Sequence, residues 1–245
     1  MIISHRYKYL FVELPHTGST AISAELRELY DGSKILRKHA RYSDFLRIAS
    51  PEEREYFVFS AVRNPLDVAV SLYYRYKTDH HGRYSAERPT VTKSDIAWFR
   101  WIQRTEADFP TYFRRAYRRP IPYDNFSREA HRRFDFVMRF ENLSDDFANV
   151  LGMLGIEPKR PLPVANRTTQ RTTDYATYYP PELIPRARWV FGPFMEAWGY
   201  ELPPGWGRLP APITARVAFR VIGAVRRRLA TPLAWQSARN RGRIE

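Results

Sequence analysis

Two short stretches and one histidine carry side chains suited to gripping phosphate or sulfate and to moving a proton beside it. In Leu14-Pro15-His16-Thr17-Gly18-Ser19-Thr20, a glycine and three hydroxyl side chains stand directly before the helical spacing of Ile22, Leu26, Leu29 and Tyr30. A loop of this kind, leading into a helix N-terminus, converges backbone N–H groups on one point, and the helix dipole adds positive potential there. Gly18 lets the backbone approach an anion closely. The bland alternative is an ordinary strand-to-helix turn. The second stretch, Val62-Arg63-Asn64-Pro65-Leu66-Asp67-Val68-Ala69-Val70-Ser71, sets a guanidinium just ahead of a helix and a hydroxyl within it. Asn64 can cap that helix, Pro65 suits its first turn, and Asp67 favours its dipole. His39, in Leu36-Arg37-Lys38-His39-Ala40, is the candidate proton acceptor. Lys38 beside it favours the neutral imidazole by like-charge repulsion. The competing reading is a surface histidine in a basic loop.

Other candidates are weaker. His80 and His81 are adjacent, but no carboxylate stands at convincing ligand spacing, so no metal is assigned. Glu141, in Arg139-Phe140-Glu141, reads as an ion-paired structural residue. The Arg/Tyr stretch over 112–119 suits either an anionic, sugar-bearing acceptor or a solvated helix whose long stems cover the sheet.

The elements that must position these groups are legible. Apolar runs at 9–14, 56–62 and 134–140 are rich in Phe, Val and Tyr and read as buried strands, separated by helical patterns. Repeated strand-then-helix units indicate an α/β fold. The expected class is a P-loop-like three-layer fold: a central parallel sheet flanked by helices, with a helical insertion and a basic amphipathic C-terminal helix. The boundaries are a domain over 1–205, an insertion at about 77–133 that holds a helix near 94–104, and a basic tail over 206–245. Within the tail, 213–229 has Ile213, Val217, Val221, Val225, Ile222 and Leu229 on a broad face, with Arg216, Arg220, Arg226 and Arg227 mostly opposite. Such a helix fits an anionic membrane surface, its own domain or a twin subunit.

Composition narrows the class. The 245 residues carry 40 Lys and Arg against 26 Asp and Glu, a net charge of +14, which favours a polyanionic partner. The absence of cysteine removes disulfides, thiolate nucleophiles and Cys-ligated zinc. No run of 18 apolar residues occurs and no signal-peptide pattern precedes residue 9, so a cytoplasmic protein, peripheral to a membrane at most, is expected.

The two motifs together resemble those of sulfotransferases that use 3′-phosphoadenosine-5′-phosphosulfate (PAPS). Residues 14–20 resemble their 5′-phosphosulfate loop, usually Pro-Lys-Thr-Gly-Thr-Thr, and 62–71 resemble their 3′-phosphate motif. Met138-Arg139-Phe140-Glu141-Asn142-Leu143 and Leu151-Gly152-Met153-Leu154-Gly155-Ile156 are similar to a later strand and helix of the carbohydrate-type enzymes. The resemblance implies PAPS held by Pro15, His16, Thr17, Gly18, Ser19, Thr20, Arg63 and Ser71. It also implies His39 as base, no metal, and a hydroxyl acceptor of the saccharide or glycolipid kind. Asn166-Arg167-Thr168-Thr169-Gln170-Arg171 is, from its own residues, a candidate closure over the 3′-phosphate. One departure stands out: His16 occupies the family's lysine position, and imidazolium can stabilise the departing phosphate only while protonated. The alternative is a basic α/β protein that binds nucleotide or nucleic acid without chemistry. No helix-turn-helix, zinc-finger or RNA-recognition signature supports specific nucleic-acid binding, and the missing Gly-Lys pair disfavours a kinase.

Overall fold

Runs of aromatic and β-branched residues, which suit a pleated surface buried on both sides, build the central strands. The computed structural model describes residues 1–87, 91–124, 134–163, 174–207 and 210–229, with backbone alone at 227–229. They fall into two units. One comprises Met1–Arg63, Asp124–Asn166 and Val221–Glu245, and the other Asn64–Tyr123 and Arg167–Arg220.

The first unit holds a five-stranded sheet in the order β3-β1-β2-β4-β5. Its strands are β1 (Ile2–Ser4), β2 (Tyr9–Phe11), β3 (Ser33–Lys34), β4 (Phe57–Val62) and β5 (Phe136–Arg139). The strands β2, β4 and β5 run parallel, with Phe11 opposite Phe59 and Val62 opposite Arg139. These are the three expected from the apolar runs. Two short strands join them antiparallel, β1 against β2 and β3 against β1. Helices α1 (Ser19–Leu29) and α6 (Leu143–Met153) flank this mixed sheet; Ile22 and Leu26 of α1 meet Phe147, Val150 and Leu151 of α6 over Phe11, Phe59 and Met138. A short helix, α2 (Tyr42–Leu46), follows β3. Pairing continues past the strand ends: the Val12 amide donates to the Phe59 carbonyl at 2.9 Å, and the Ser60 hydroxyl to the Val12 carbonyl at 2.7 Å. The carboxyl ends of β2 and β4 therefore emerge side by side, where open α/β sheets bind their ligands.

The second unit is helical. Asn64 caps α3 (Pro65–Lys77), its side-chain oxygen accepting from the Leu66 amide at 3.0 Å, with Pro65 in the first turn. Ser71 lies buried within α3. The insertion supplies α4 (Lys93–Thr105) and α5 (Phe109–Ala116), which pack on α3 and α7 (Ile184–Ala197). For the Arg/Tyr stretch, helix α5 bears out a helix but not one lying over the sheet: its buried side packs on other helices. Phe109, Tyr112 and Phe113 fall on its buried side, at i, i+3 and i+4, while Arg114 and Arg115 point outward. Arg115 covers the Trp101 ring at 4.7 Å. Tyr112 and Phe113 are thus core residues, not part of an acceptor surface.

The tail helix α8 spans Ile213–Leu229, as the spacing predicts. Its start is anchored to α7: Ala211 is buried against Gly192, and the Trp189 indole N–H donates to the Thr214 hydroxyl at 3.3 Å. Ala215 and Gly223 face inward. The i, i+4 row Ile213, Val217, Val221 and Val225 is exposed, at 47 to 70 %. Among the described residues, no helix is long and apolar enough to cross a membrane.

Candidate functional site

The loop after β2 has the shape its residues predict. Beyond Leu14 the chain turns through 15–18 and enters α1 at Ser19. Two of its residues adopt left-handed backbone: His16 at φ 67° and Gly18 at φ 76°. Histidine enters this region more readily than bulkier residues, and glycine enters it freely. Buried Thr17 donates its hydroxyl to the Leu14 carbonyl at 2.9 Å, which ties the turn together, so that side chain works inside the loop. The Gly18 carbonyl accepts from the Ala21 amide at 3.0 Å and starts α1. No acidic residue lies in the first turn of α1, and no side chain caps it. That arrangement leaves the helix N-terminus electropositive and suited to an anion.

From the neighbouring strand exit, Arg63 reaches the same loop. Its Nη1 donates to the His16 carbonyl at 3.3 Å, and its guanidinium lies 3.9 Å from the Phe140 ring centroid. Gly18 packs from the other side against Leu143 and Phe140. The loop, Arg63 and the start of α6 form one assembly. Ser71 belongs to the second unit.

His39 comes to this loop from β3. It lies between β3 and α2, in left-handed backbone at φ 59°, as does Leu36 at φ 61°. Its Nδ1 is 3.0 Å from the Glu13 carbonyl oxygen, two residues ahead of Pro15. A carbonyl can only accept, so Nδ1 carries the hydrogen and the neutral ring presents Nε2 as the free base. Burial lowers the His39 pKa, the Glu13 carbonyl opposes that shift, and the Lys38 charge lowers it further. Lys38 has the sign expected from the sequence, but burial is the larger cause. At neutral pH the ring is a proton acceptor.

Sequence reasoning passed over Glu13 and the partner of Lys38. The Lys38 ammonium donates to the Thr20 hydroxyl oxygen at 2.9 Å, so residues 38 and 39 bracket the loop, one at each end. Glu13 is buried and accepts from the Ser23 hydroxyl at 2.6 Å and the Met1 amino group at 2.8 Å. Burial would raise its pKa, but these hydrogen bonds and the nearby cations hold it below the ordinary value. A lone carboxylate inside the apolar run at 9–14 was the available signal.

Elsewhere, His80 is buried with its ring tilted against His81 at 4.0 Å between centroids, and burial lowers its pKa to about 4. No group of three or more His, Asp or Glu able to hold a metal occurs among the described residues. Glu141 is exposed in the short helical turn Phe140–Asn142 that follows β5. The stretch 166–171 lies outside the described residues.

The sulfotransferase family model matches residues 1–187, which include the whole loop, Arg63, His39 and Ser71. The chain belongs to the sulfotransferase family. No curated protein and no solved structure matches it. As a sulfotransferase, it places its loop where the sheet, the helix N-terminus and two cationic side chains converge, and its chemistry is sulfuryl transfer.

Proposed function

We propose that this sulfotransferase takes its sulfuryl group from PAPS and passes it to a hydroxyl on a saccharide or glycolipid, with His39 as general base. The observation that carries this reading is the bracket around the loop. An imidazole with a defined basic nitrogen stands at one end of a phosphate-type turn, and an ammonium stands at the other. In the reaction, the acceptor oxygen forms a bond to sulfur as its proton passes to Nε2 of His39. The bond from sulfur to the bridging oxygen breaks, and its electron pair stays on the departing phosphate. Amides of 16–20, with the Ser19 and Thr20 hydroxyls and His16, are suited to receive that charge. Arg63 is assigned to the 3′-phosphate along with Ser71, by resemblance.

The donor assignment has a direct test. Calorimetry should show adenosine 3′,5′-bisphosphate binding well ahead of adenosine 5′-phosphate and ATP. Arg63→Ala should remove most of that preference, since a charge-assisted contact to phosphate contributes about 1.5–3 kcal/mol, or roughly tenfold to a hundredfold. Equal affinity for the mono- and bisphosphate in the unaltered protein would rule out this donor.

The exposed row on α8 favours a lipid-linked acceptor. Its apolar side chains face outward, and the helix carries five arginines and no acidic residue. That combination complements an anionic bilayer surface. Val217→Asp with Val221→Asp should abolish flotation with phosphatidylserine vesicles at low salt, whereas the unaltered chain floats with those vesicles and not with phosphatidylcholine alone. Identical flotation of both proteins would remove the membrane from the account.

A further inference from the structure

We infer that Lys38 supplies the permanent positive charge that the phosphate loop lacks at position 16, acting through the hydroxyl of Thr20. This rests on the sulfuryl-transfer reading above and adds a positioning residue to it. A phosphate that gains charge as sulfur leaves needs a fixed cation close by. An imidazole, unlike an ammonium, carries its charge only when protonated. Arg63 is engaged at the His16 carbonyl, toward the start of the loop. At the other end stands Lys38, its ammonium 2.9 Å from the Thr20 oxygen, on the second residue of α1.

The direction of that hydrogen bond matters. Lysine has no acceptor, so the Thr20 oxygen accepts and its own hydrogen is left to donate. A hydroxyl that accepts from an ammonium is a stronger donor in turn, because linked hydrogen bonds polarise one another. Thr20 is exposed at the helix N-terminus, so the donor it offers is accessible to a bound anion. Lys38 thus adds a full charge beside the loop and sharpens the loop's outermost hydroxyl. Its reach depends on the left-handed turns at Leu36 and His39, which fold the chain after β3 back over the loop. Strained backbone of this kind persists where the surroundings hold it, often at functional sites. The cation comes from a neighbouring segment, and the loop position holds an imidazole.

The test is a rescue. Using PAPS as donor and a panel of phenols and saccharides as acceptors, Lys38→Ala should lower kcat by about a hundredfold or more. Lys38→Arg should retain most of it. Binding of adenosine 3′,5′-bisphosphate, the product form, should fall far less than kcat in Lys38→Ala. In the Lys38→Ala background, His16→Lys should restore most of the lost turnover. A purely structural Lys38 would show no such rescue. Because lysine at a left-handed position is strained, a second cycle guards against a misfolded His16 variant. Thr20→Val and Lys38→Ala should be strongly non-additive if Lys38 works through Thr20, and independent if it does not. Unchanged kcat in Lys38→Ala, or additive losses in that cycle, would overturn the assignment while leaving the donor reading intact. No transfer from PAPS by the unaltered protein would remove both.

Discussion

His39→Asn should leave a folded protein that binds adenosine 3′,5′-bisphosphate nearly as well as before and should turn over about 10²- to 10⁴-fold more slowly, the usual contribution of a positioned general base. Asparagine is the informative replacement. Its side-chain amide can donate to the Glu13 carbonyl as Nδ1 does now, and it tolerates the left-handed backbone that residue 39 adopts. The variant keeps the structural half of the histidine and removes only Nε2. Alanine would remove both, and a loss of turnover there could reflect a displaced loop. The pH profile gives an independent check. Burial foremost, with help from Lys38, lowers the His39 pKa from its ordinary 6.5. The base must be neutral to act, so turnover should be level through neutrality and fall only as pH drops below 6.5. In His39→Asn that acid limb should vanish from the residual rate. Turnover in His39→Asn equal to that of the unaltered enzyme, or an acid limb that survives the substitution, would exclude His39 as the base.

The contrast between what the sequence discloses and what it hides follows from the range of the interactions. Asn64-Pro65 marks the start of α3 because a cap and its first turn are local, and the observed bond from the Leu66 amide is the one the pattern predicts. Strands β2 and β4 are legible because they are buried almost throughout and therefore mostly apolar, and β5 is legible from its Phe-Val-Met run although it lies at the sheet edge and ends in exposed Arg139. Strands β1 and β3 are hidden because three and two residues are too few to show a period, and Ser33–Lys34 is polar and exposed. That omission hides the site's main feature. Without β3 pairing to β1, nothing in the spacing brings residues 38 and 39 back to 13 and 20. The types of Lys38 and His39 are visible in the chain, but their partners are set by sheet topology. Tyr112 and Phe113 show the reverse case, where an aromatic and basic stretch looks like a binding surface until helical geometry turns its rings inward.

Gly18→Ala should disable the enzyme almost as fully as loss of the base, by a different route. Two costs meet at this position. Alanine at φ 76° occupies the left-handed region, unfavourable by about 1–2 kcal/mol for an L-residue. Its methyl would also lie 2.6 Å from Leu143 Cδ2 and 3.3 Å from Phe140 Cδ2, an overlap of the kind that costs about 1–3 kcal/mol when a packed site must adjust. Relief requires the loop or α6 to shift. Any shift of Gly18 moves the carbonyl that starts α1, and any shift of Phe140 moves the ring beneath Arg63. Both changes damage the anion cradle, so affinity for adenosine 3′,5′-bisphosphate should fall at least tenfold and the thermal midpoint should drop by several degrees. Two variants separate the causes. Gly18→Asn eases the backbone term but enlarges the overlap. Leu143→Ala combined with Gly18→Ala removes the 2.6 Å contact and keeps the backbone term. If crowding dominates, Leu143→Ala should restore much of the binding lost in Gly18→Ala, and Gly18→Asn should bind worse than Gly18→Ala. If φ dominates, the order reverses. A Gly18→Ala protein with unaltered stability and nucleotide affinity would show that the tight packing of this loop on α6 is not what shapes the site.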